Sequence, residues 1–464
     1  MITRVIAMKF GPEELGVYVL FRRVGAFLVP LSTFMIGVGL TRAVAMSRDH
    51  DKSLATSAAL LGLLGATVTG LLLMLAPRFQ SQMTSEIHRI AAIAHPIVAF
   101  LFANLIFTIA YSWYRGTSEM RKANIWQLLC VALIPLAATV MFAGRKPIGS
   151  LLIVIALAYA LPIALVINLV RPRPGISAKR LRLQISELAR YCLPRIPGSL
   201  GLTAILALAP LVAAFRLGLT QSGYLGAGQS IFAVSEGGAT ALSLLLLPKL
   251  SSLLSEGRTT EIRERVSEMT LFLVQVGLPL ALIVPLFARE IIAAWLGSLY
   301  SPAVTVMQIY SIGLFPYVAY VALRSVLDAT EVRALNTVSI LTALLLQAVA
   351  LLAAFRVDLA VEYYAATTTL AMAALGAQSF YFVWRRGTLS LTRNEILMAI
   401  GGTVLVVGPV LAIELLARNQ RIPGDGTALK LAAAFATGAL YLTILYRSRS
   451  RWIVALKKRM PSGA

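Results

Sequence analysis

Acidic side chains are scarce in this 464-residue chain: Asp and Glu number 20 against 42 Lys and Arg, a net charge of +22. Charge of either sign is scarce as well, at 13% of residues, about half the share of an ordinary soluble domain. That composition excludes a disordered chain and a soluble enzyme of normal type. Cysteine is nearly absent. Cys130 and Cys192 lie in apolar stretches and read as small buried hydrophobes, which excludes a disulfide scaffold. The three histidines, His50, His88 and His95, are scattered, and no Cys/His/Asp/Glu group has metal-ligand spacing, so no metal or cofactor is expected. There is no Gly-x-x-x-x-Gly-Lys-Ser/Thr loop for a nucleotide, and no cleavable leader is visible at Met1–Lys9. Long polar segments are missing too. The excess of bases therefore has no soluble patch to form, and nucleic acid is not an expected partner.

Apolar residues fill the gap, at 58% of the chain with a mean hydropathy of +0.80. Thirteen runs are long enough to cross a bilayer, at about 16–41, 55–76, 90–113, 123–143, 149–170, 191–215, 223–247, 266–289, 303–327, 335–355, 359–384, 395–417 and 427–446. Ten-residue segments of alternating polarity are missing, so the spacing predicts an all-α polytopic membrane protein and not a β-barrel.

One central connection is long. In residues 171–190, Leu181, Ile185 and Leu188 recur at helical spacing while Lys179, Arg180, Arg182 and Arg190 occupy the other faces. This pattern predicts a basic amphipathic helix in the interface beside anionic headgroups. A similar stretch, Arg447–Arg459, ends the chain. The expected organisation is 1–170, 171–190, 191–390 and 391–464: a first bundle, the basic connection, a second bundle, and two further helices with a basic tail. Alternate connections differ sharply in charge. One set carries 28 of the 42 Lys and Arg, which assigns it and the C-terminus to the cytoplasm. With thirteen spans, residue 1 then falls outside, and one more helix upstream would restore a cytoplasmic start. The chain is expected to begin in the tail of a first helix.

The turn Gly11-Pro-Glu-Glu-Leu-Gly-Val-Tyr18 has a weak echo about 206 residues later, Leu217-Gly-Leu-Thr-Gln-Ser-Gly-Tyr224. Six helices per repeat predict parallel halves related by an axis along the membrane normal, with a cleft between them.

Phe10-Gly-Pro-Glu-Glu-Leu-Gly-Val-Tyr18, Gly37-Val-Gly-Leu-Thr-Arg42, Ser222-Gly-Tyr-Leu-Gly-Ala227, Leu247-Pro-Lys-Leu250, Ala288-Arg-Glu-Ile-Ile-Ala-Ala-Trp-Leu-Gly297, Tyr300-Ser-Pro-Ala303 and Leu327-Asp-Ala-Thr330 resemble the polysaccharide transporter family, the O-antigen flippases. The resemblance runs from residue 10 to about 385, and its motifs mark turns and helix ends, not chemistry. It implies the multidrug/oligosaccharidyl-lipid/polysaccharide exporter fold, two pseudo-symmetric six-helix bundles in a V plus two C-terminal helices, with the first family helix truncated here. It also implies translocation of a polyprenyl-diphosphate oligosaccharide across the bacterial cytoplasmic membrane by alternating access, with membrane lipid, the lipid-linked glycan and a glycan polymerase as partners. No covalent chemistry is expected.

Such a task needs cations for phosphate and polar or aromatic groups for sugars. A charge inside a span costs about 2.5–3.5 kcal/mol on insertion scales, so charges there mark function. Arg22 and Arg23 lie about two turns into the first complete helix, where they either face a cavity or snorkel. Arg195 sits between Pro194 and Pro197 at a helix start, either receiving diphosphate or anchoring the helix. Arg324 precedes Asp328 by one turn and either binds phosphate or is neutralised. Glu236, midway along 223–247, is an ion or charge-pair site or a structural salt bridge. Asn104, Tyr111, Asn124, Gln127, Gln229 and Gln275 could contact sugar hydroxyls or join helices, as could Gln347 and Gln378. Glu414, near a helix end, reads as snorkelling.

Two other functions fit the composition. A cation- or proton-coupled drug or metabolite antiporter of the same superfamily predicts acids inside the first half, and residues 16–170 have none inside an apolar run. A membrane glycosyltransferase or polymerase needs a large extramembrane loop or an acid/base cluster, and no connection exceeds about 25 residues.

Overall fold

In lipid, backbone N–H and C=O groups find partners only in one another, so each long apolar run is driven to helix. The computed structural model describes residues 1–47, 51–75, 93–142, 145, 147–171, 177–233, 235, 253, 257–330, 335–353, 356–419 and 426–459. Among these residues the chain is all-helical. Nine helices are long and apolar enough to cross a membrane, and two bent pairs bring the number to as many as eleven. Of the thirteen expected runs, 223–247 is only partly covered, since 234 and 236–247 lie outside the described residues.

The chain divides into two compact units, Met1–Gly226 and Ala227–Ala464. The first holds α1 (Ile2–Ser32), α2 (Ile36–Met46), α3 (Ser53–Leu75), α4 (Ala94–Gly116), α5 (Met120–Phe142, with a π-helical stretch at Leu128–Leu133), α6 (Ile148–Ala158), α7 (Ile163–Val170), α8 (Ala178–Cys192) and α9 (Ile196–Leu217). α6 and α7 form one span bent by 42°. Residues 219–233 are helical (α10). The expected single run 16–41 is two helices: Phe34 and Met35 adopt left-handed φ values of 45° and 58°, which ends α1 and restarts the chain as α2. The basic helix α8 is present, but it does not simply float in the interface. Its Leu188 joins a core with Ile36, Leu40 and Val44 of α2, Ala58 and Leu61 of α3, Leu105 and Ile109 of α4 and Val166 of α7.

The repeat becomes sharper in three dimensions. Gly11 kinks α1 at φ 85°, ψ 178°, and Gly218 ends α9 at φ 95°, ψ 166°. Both dihedral pairs belong to a region that side chains with a Cβ rarely enter. The structural register is 207 residues, so Gly11 matches Gly218 and Gly16 matches Gly223, and the two tyrosines of the sequence comparison are not equivalent. The matched helix starts cross at the second glycine. A Cβ on Gly16 would meet the Leu219 carbonyl oxygen at 2.0 Å, and one on Gly223 would meet that of Pro12 at 2.2 Å. Small residues let backbones touch where lipid gives no hydrophobic drive to association.

The second unit holds α11 (Thr259–Leu296), α12 (Ala303–Ile312), α13 (Leu314–Thr330), α14 (Leu335–Ala353), α15 (Val361–Arg385), α16 (Arg393–Arg418), α17 (Thr427–Arg447) and α18 (Arg451–Arg459). α11 contains a π-helical stretch at Leu273–Gly277. Ile262, Val266 and Met269 of α11 pack against Leu323 and Val326 of α13 and Val383 of α15. A smaller core joins Val406 of α16 to Tyr441 and Leu445 of α17, with Trp452 of α18 against it. Thr392 starts α16 with a capping box: its hydroxyl accepts from the Glu395 amide, and the Glu395 carboxylate accepts from the Thr392 amide at 2.8 Å.

Candidate functional site

Within the first unit, Tyr18 and Arg22 of α1 stand one helical turn apart, and the Arg22 Cζ lies 5.7 Å from the Tyr18 ring centroid. Both line a cavity of about 590 Å³, together with Phe21, Arg23, Phe100 and Tyr159. Arg22 is exposed and Arg23 half-buried. No carboxylate lines this cavity among the described residues. α4 contributes Phe100 to its wall and carries Phe107 and Tyr111 at helical spacing along the same face. Rings connect them in edge and stacked contacts: Phe21–Phe100 at 5.8 Å, Phe100–Tyr159 at 5.1 Å, Phe107–Tyr159 at 5.6 Å and Phe107–Tyr111 at 5.4 Å. The series ends where the Tyr111 hydroxyl donates to Gln127 Oε1 at 3.0 Å.

Arg22 and Arg23 line the cavity, and the series of rings leads from Phe21 and Phe100 at its wall through Tyr159 and Phe107 to Tyr111 and Gln127. Asn104 is buried on the same helix as Tyr111, and Asn124 is exposed on α5. Phe100, Phe107 and Tyr159 were missed in the sequence. The 100, 107, 111 spacing on α4 carried a signal, whereas Tyr159 stands at the α6–α7 bend, which hydropathy does not reveal.

The other candidates lie elsewhere. Arg195 stands just before α9, exposed, with its Cζ 3.7 Å from the Tyr191 ring and Nη1 donating to the Tyr191 carbonyl. Arg324 is exposed on α13 in the second unit. The Asp328 side chain lies outside the described residues, as does Glu236. Gln229 is fully buried. Gln275 is buried too, and its Oε1 accepts from Ser450 Oγ at 2.8 Å and Trp452 Nε1 at 2.9 Å. It therefore holds the C-terminal helix α18 to α11. Gln347 donates to Thr368 Oγ1, and Gln378 accepts from Thr342 Oγ1. Cys130 and Cys192 are free and buried.

Two polar centres were not read from the sequence. In the second unit, Lys430 near the start of α17 is only 2% exposed. Its Nζ donates to Glu290 of α11, to Glu414 of α16 at 2.7 Å and to the Leu286 carbonyl oxygen at 3.3 Å. Arg418 also holds Glu414, at 2.9 Å. Glu414 does not snorkel, because a buried lysine one helix away neutralises it. A cavity of about 530 Å³ adjoins this cluster, lined also by Arg289, Thr305 and Gln308.

In the first unit, Asp51 ties α8 to the start of α3. Its carboxylate accepts from the Ser53 amide at 2.9 Å, the Ser53 hydroxyl at 2.6 Å, Arg180 at 2.6 Å and Gln184 at 3.2 Å. Gln184 Oε1 also accepts from Ser57 Oγ at 2.9 Å. Partial burial works to raise the Asp51 pKa, but the Ser53 hydrogen bonds and the Arg180 guanidinium outweigh it and hold the carboxyl below its ordinary value.

No protein-family model matches the sequence, and no curated protein matches it. Solved structures do match by fold. A lipid II flippase, MurJ, in an inward closed conformation aligns with a TM-score of 0.73 at 12% identity, over 96% of this chain and 96% of that one. An inward-facing multidrug resistance MATE family transporter of the MOP superfamily aligns at 0.64 and 14% identity, over 83% of this chain and 93% of that one. An outward-facing transporter of the same description aligns at 0.54 and 11%, over 83% and 95%. The chain is a multi-pass membrane protein with the fold that these flippase and MATE structures share.

Proposed function

We propose that the chain is a flippase that moves a polyprenyl-diphosphate oligosaccharide across the bacterial cytoplasmic membrane, for O-antigen, capsule or exopolysaccharide synthesis. The observation that carries this reading is the cavity that sets Arg22 and Arg23 among aromatic rings with no carboxylate on its described walls. Guanidinium groups offer forked hydrogen bonds that fit phosphate oxygens. Flat rings offer apolar faces to sugar C–H bonds, and hydroxyl and amide groups such as Tyr111 and Gln127 offer exchangeable hydrogen bonds. A cationic drug would be repelled there, which disfavours the antiporter reading despite the MATE likeness. The fold supports alternating access: the cavity captures the headgroup from the cytoplasmic side and releases it outside, while the polyprenyl tail stays in lipid. A multi-pass protein with a cytoplasmic C-terminus follows from the lysine and arginine asymmetry.

The test is glycan export in a strain lacking the gene. A charge-assisted hydrogen bond contributes about 1.5–3 kcal/mol, so Arg22→Ala and Arg23→Ala should each cut export about tenfold or more at unchanged protein level. Wild-type export by both variants would sink the assignment, and drug resistance conferred without glycan export would favour the antiporter.

A further inference from the structure

A second cavity in the first unit, about 810 Å³, lies where α8 meets the end of α2 and the start of α3. Its charged lining is Arg42, Asp51, Lys52, Arg180 and Glu187. Asp51 is already committed to Arg180, Gln184 and Ser53. Tyr191 of α8 stands at the wall, and two guanidiniums share its ring: Arg42 Cζ at 4.4 Å from the centroid and Arg195 Cζ at 3.7 Å. Neither arginine meets a carboxylate within ion-pair distance among the described residues. The two guanidinium carbons are thus within about 8 Å of each other and repel. The ring offsets part of that repulsion, since each cation is attracted to its π-face. Arg195 spends Nη1 on the Tyr191 carbonyl; the remaining N–H groups of the two guanidiniums can donate charge-assisted hydrogen bonds of about 2.8 Å to phosphoryl oxygens. Residues 42–52 and 171–195 belong to the lysine- and arginine-rich connections, and the apolar edge of α8 is packed against the membrane helices α2, α3 and α4. The site therefore faces the headgroup layer and not bulk water.

We propose that Arg42 and Arg195, held on Tyr191 with Lys52 nearby, form a receiving site for a lipid-borne phosphate at the inner surface of the first unit. Tyr191 is a positioning residue and the two arginines bind. The phosphate belongs either to a resident anionic phospholipid or to a polyprenyl diphosphate. Only in the second case does the inference rest on the flippase reading, and there the site would receive the cargo before it reaches Arg22.

The test uses the full chain in phosphatidylcholine nanodiscs, with binding of phosphatidylglycerol and of undecaprenyl diphosphate each measured by native mass spectrometry. Arg42→Gln/Arg195→Gln should weaken at least one of the two lipids tenfold or more. Tyr191→Leu, which keeps both charges, should weaken the same lipid at least threefold, and Tyr191→Phe should leave it unchanged. Arg263→Gln/Arg265→Gln removes equal charge from α11 and should do nothing. Loss confined to phosphatidylglycerol supports the site with a resident lipid, whatever becomes of the flippase reading. Loss for undecaprenyl diphosphate supports it as a cargo entry point. Unchanged binding of both lipids overturns the proposal, and so does an equal loss in the α11 control. Where the glutamine pair fails to fold, Arg42→Lys/Arg195→Lys replaces it: charge is kept and the fork is lost, so a threefold or larger loss supports the proposal and wild-type binding overturns it.

Discussion

Replacing Lys430 by methionine removes the cation that Glu290 and Glu414 share, at nearly constant volume. The two acids do not suffer alike. Glu414 keeps Arg418 at 2.9 Å. Among the described residues Glu290 keeps only the Thr427 hydroxyl, which donates to Oε1 at 3.2 Å, and its buried Oε2 already lacks a hydrogen-bond partner there. The cost of the change is therefore the cost of one stranded carboxylate. Removing one side of a buried ion pair costs about 3–5 kcal/mol. The Glu290 side chain is 18% exposed, so water relieves part of this, and about 3 kcal/mol is the expected loss. Thermal melting of the purified protein in detergent, followed by size-exclusion fluorescence, measures it. Lys430→Met should melt well below wild type, Lys430→Met/Glu290→Gln should recover most of the loss, and Lys430→Met/Glu414→Gln should recover little. Equal rescue by the two glutamines would refute the reasoning.

Other predictions follow from single contacts. Gly16→Ala and Gly223→Ala each drive a Cβ to about 2 Å from a backbone carbonyl oxygen, which no rotamer relieves. Both should cost at least the upper end of the roughly 1–3 kcal/mol seen for overpacking and lower the yield of folded protein, whereas wild-type melting would show that α1 and α10 do not cross there. The depressed Asp51 pKa gives a stability contribution that is full above the unfolded value of about 3.9 and is lost as pH falls through the folded value. Amide exchange in α8 should be slow at pH 5 and above in wild type, rise below pH 4 relative to the intrinsic rate, and be fast throughout in Asp51→Asn. Gln275→Leu strands the hydroxyl of Ser450 and the indole of Trp452. α18 should then be cut faster by trypsin at Arg447–Arg459, with the spans intact; unchanged cleavage would show that Arg451, bonded to Glu395 at 2.5 Å, holds the helix alone.

How far the sequence reaches differs from one feature to the next. Most of the runs that hydropathy predicts from 55 onward reappear as helices within a few residues, because each answers to its own local composition. The break at Phe34–Met35 was not legible, since an apolar sequence carries no mark of where a helix turns aside. The repeat was visible in Gly11 and Gly218, but its register was one residue off until the crossing of Gly16 and Gly223 fixed it. Arg22 and Arg23 stood out by their cost in lipid. Their aromatic surroundings did not, because Phe100 and Tyr159 reach them only through the packing of α4 and the bent α6–α7 span.

Sequence alone determined that the chain lives in a bilayer, that it crosses as helices, and which connections carry the positive charge. Lipid denies the backbone any other partner and makes every stray charge expensive, so these properties are written residue by residue. Tertiary structure alone decided which charges meet. Asp51 and Arg180 are 129 positions apart, and Glu290 and Lys430 are 140. Their pairing depends on how each helix is rotated and where it crosses its neighbours. Those angles are set by small residues and packing along whole helix faces, and no local window of sequence contains them.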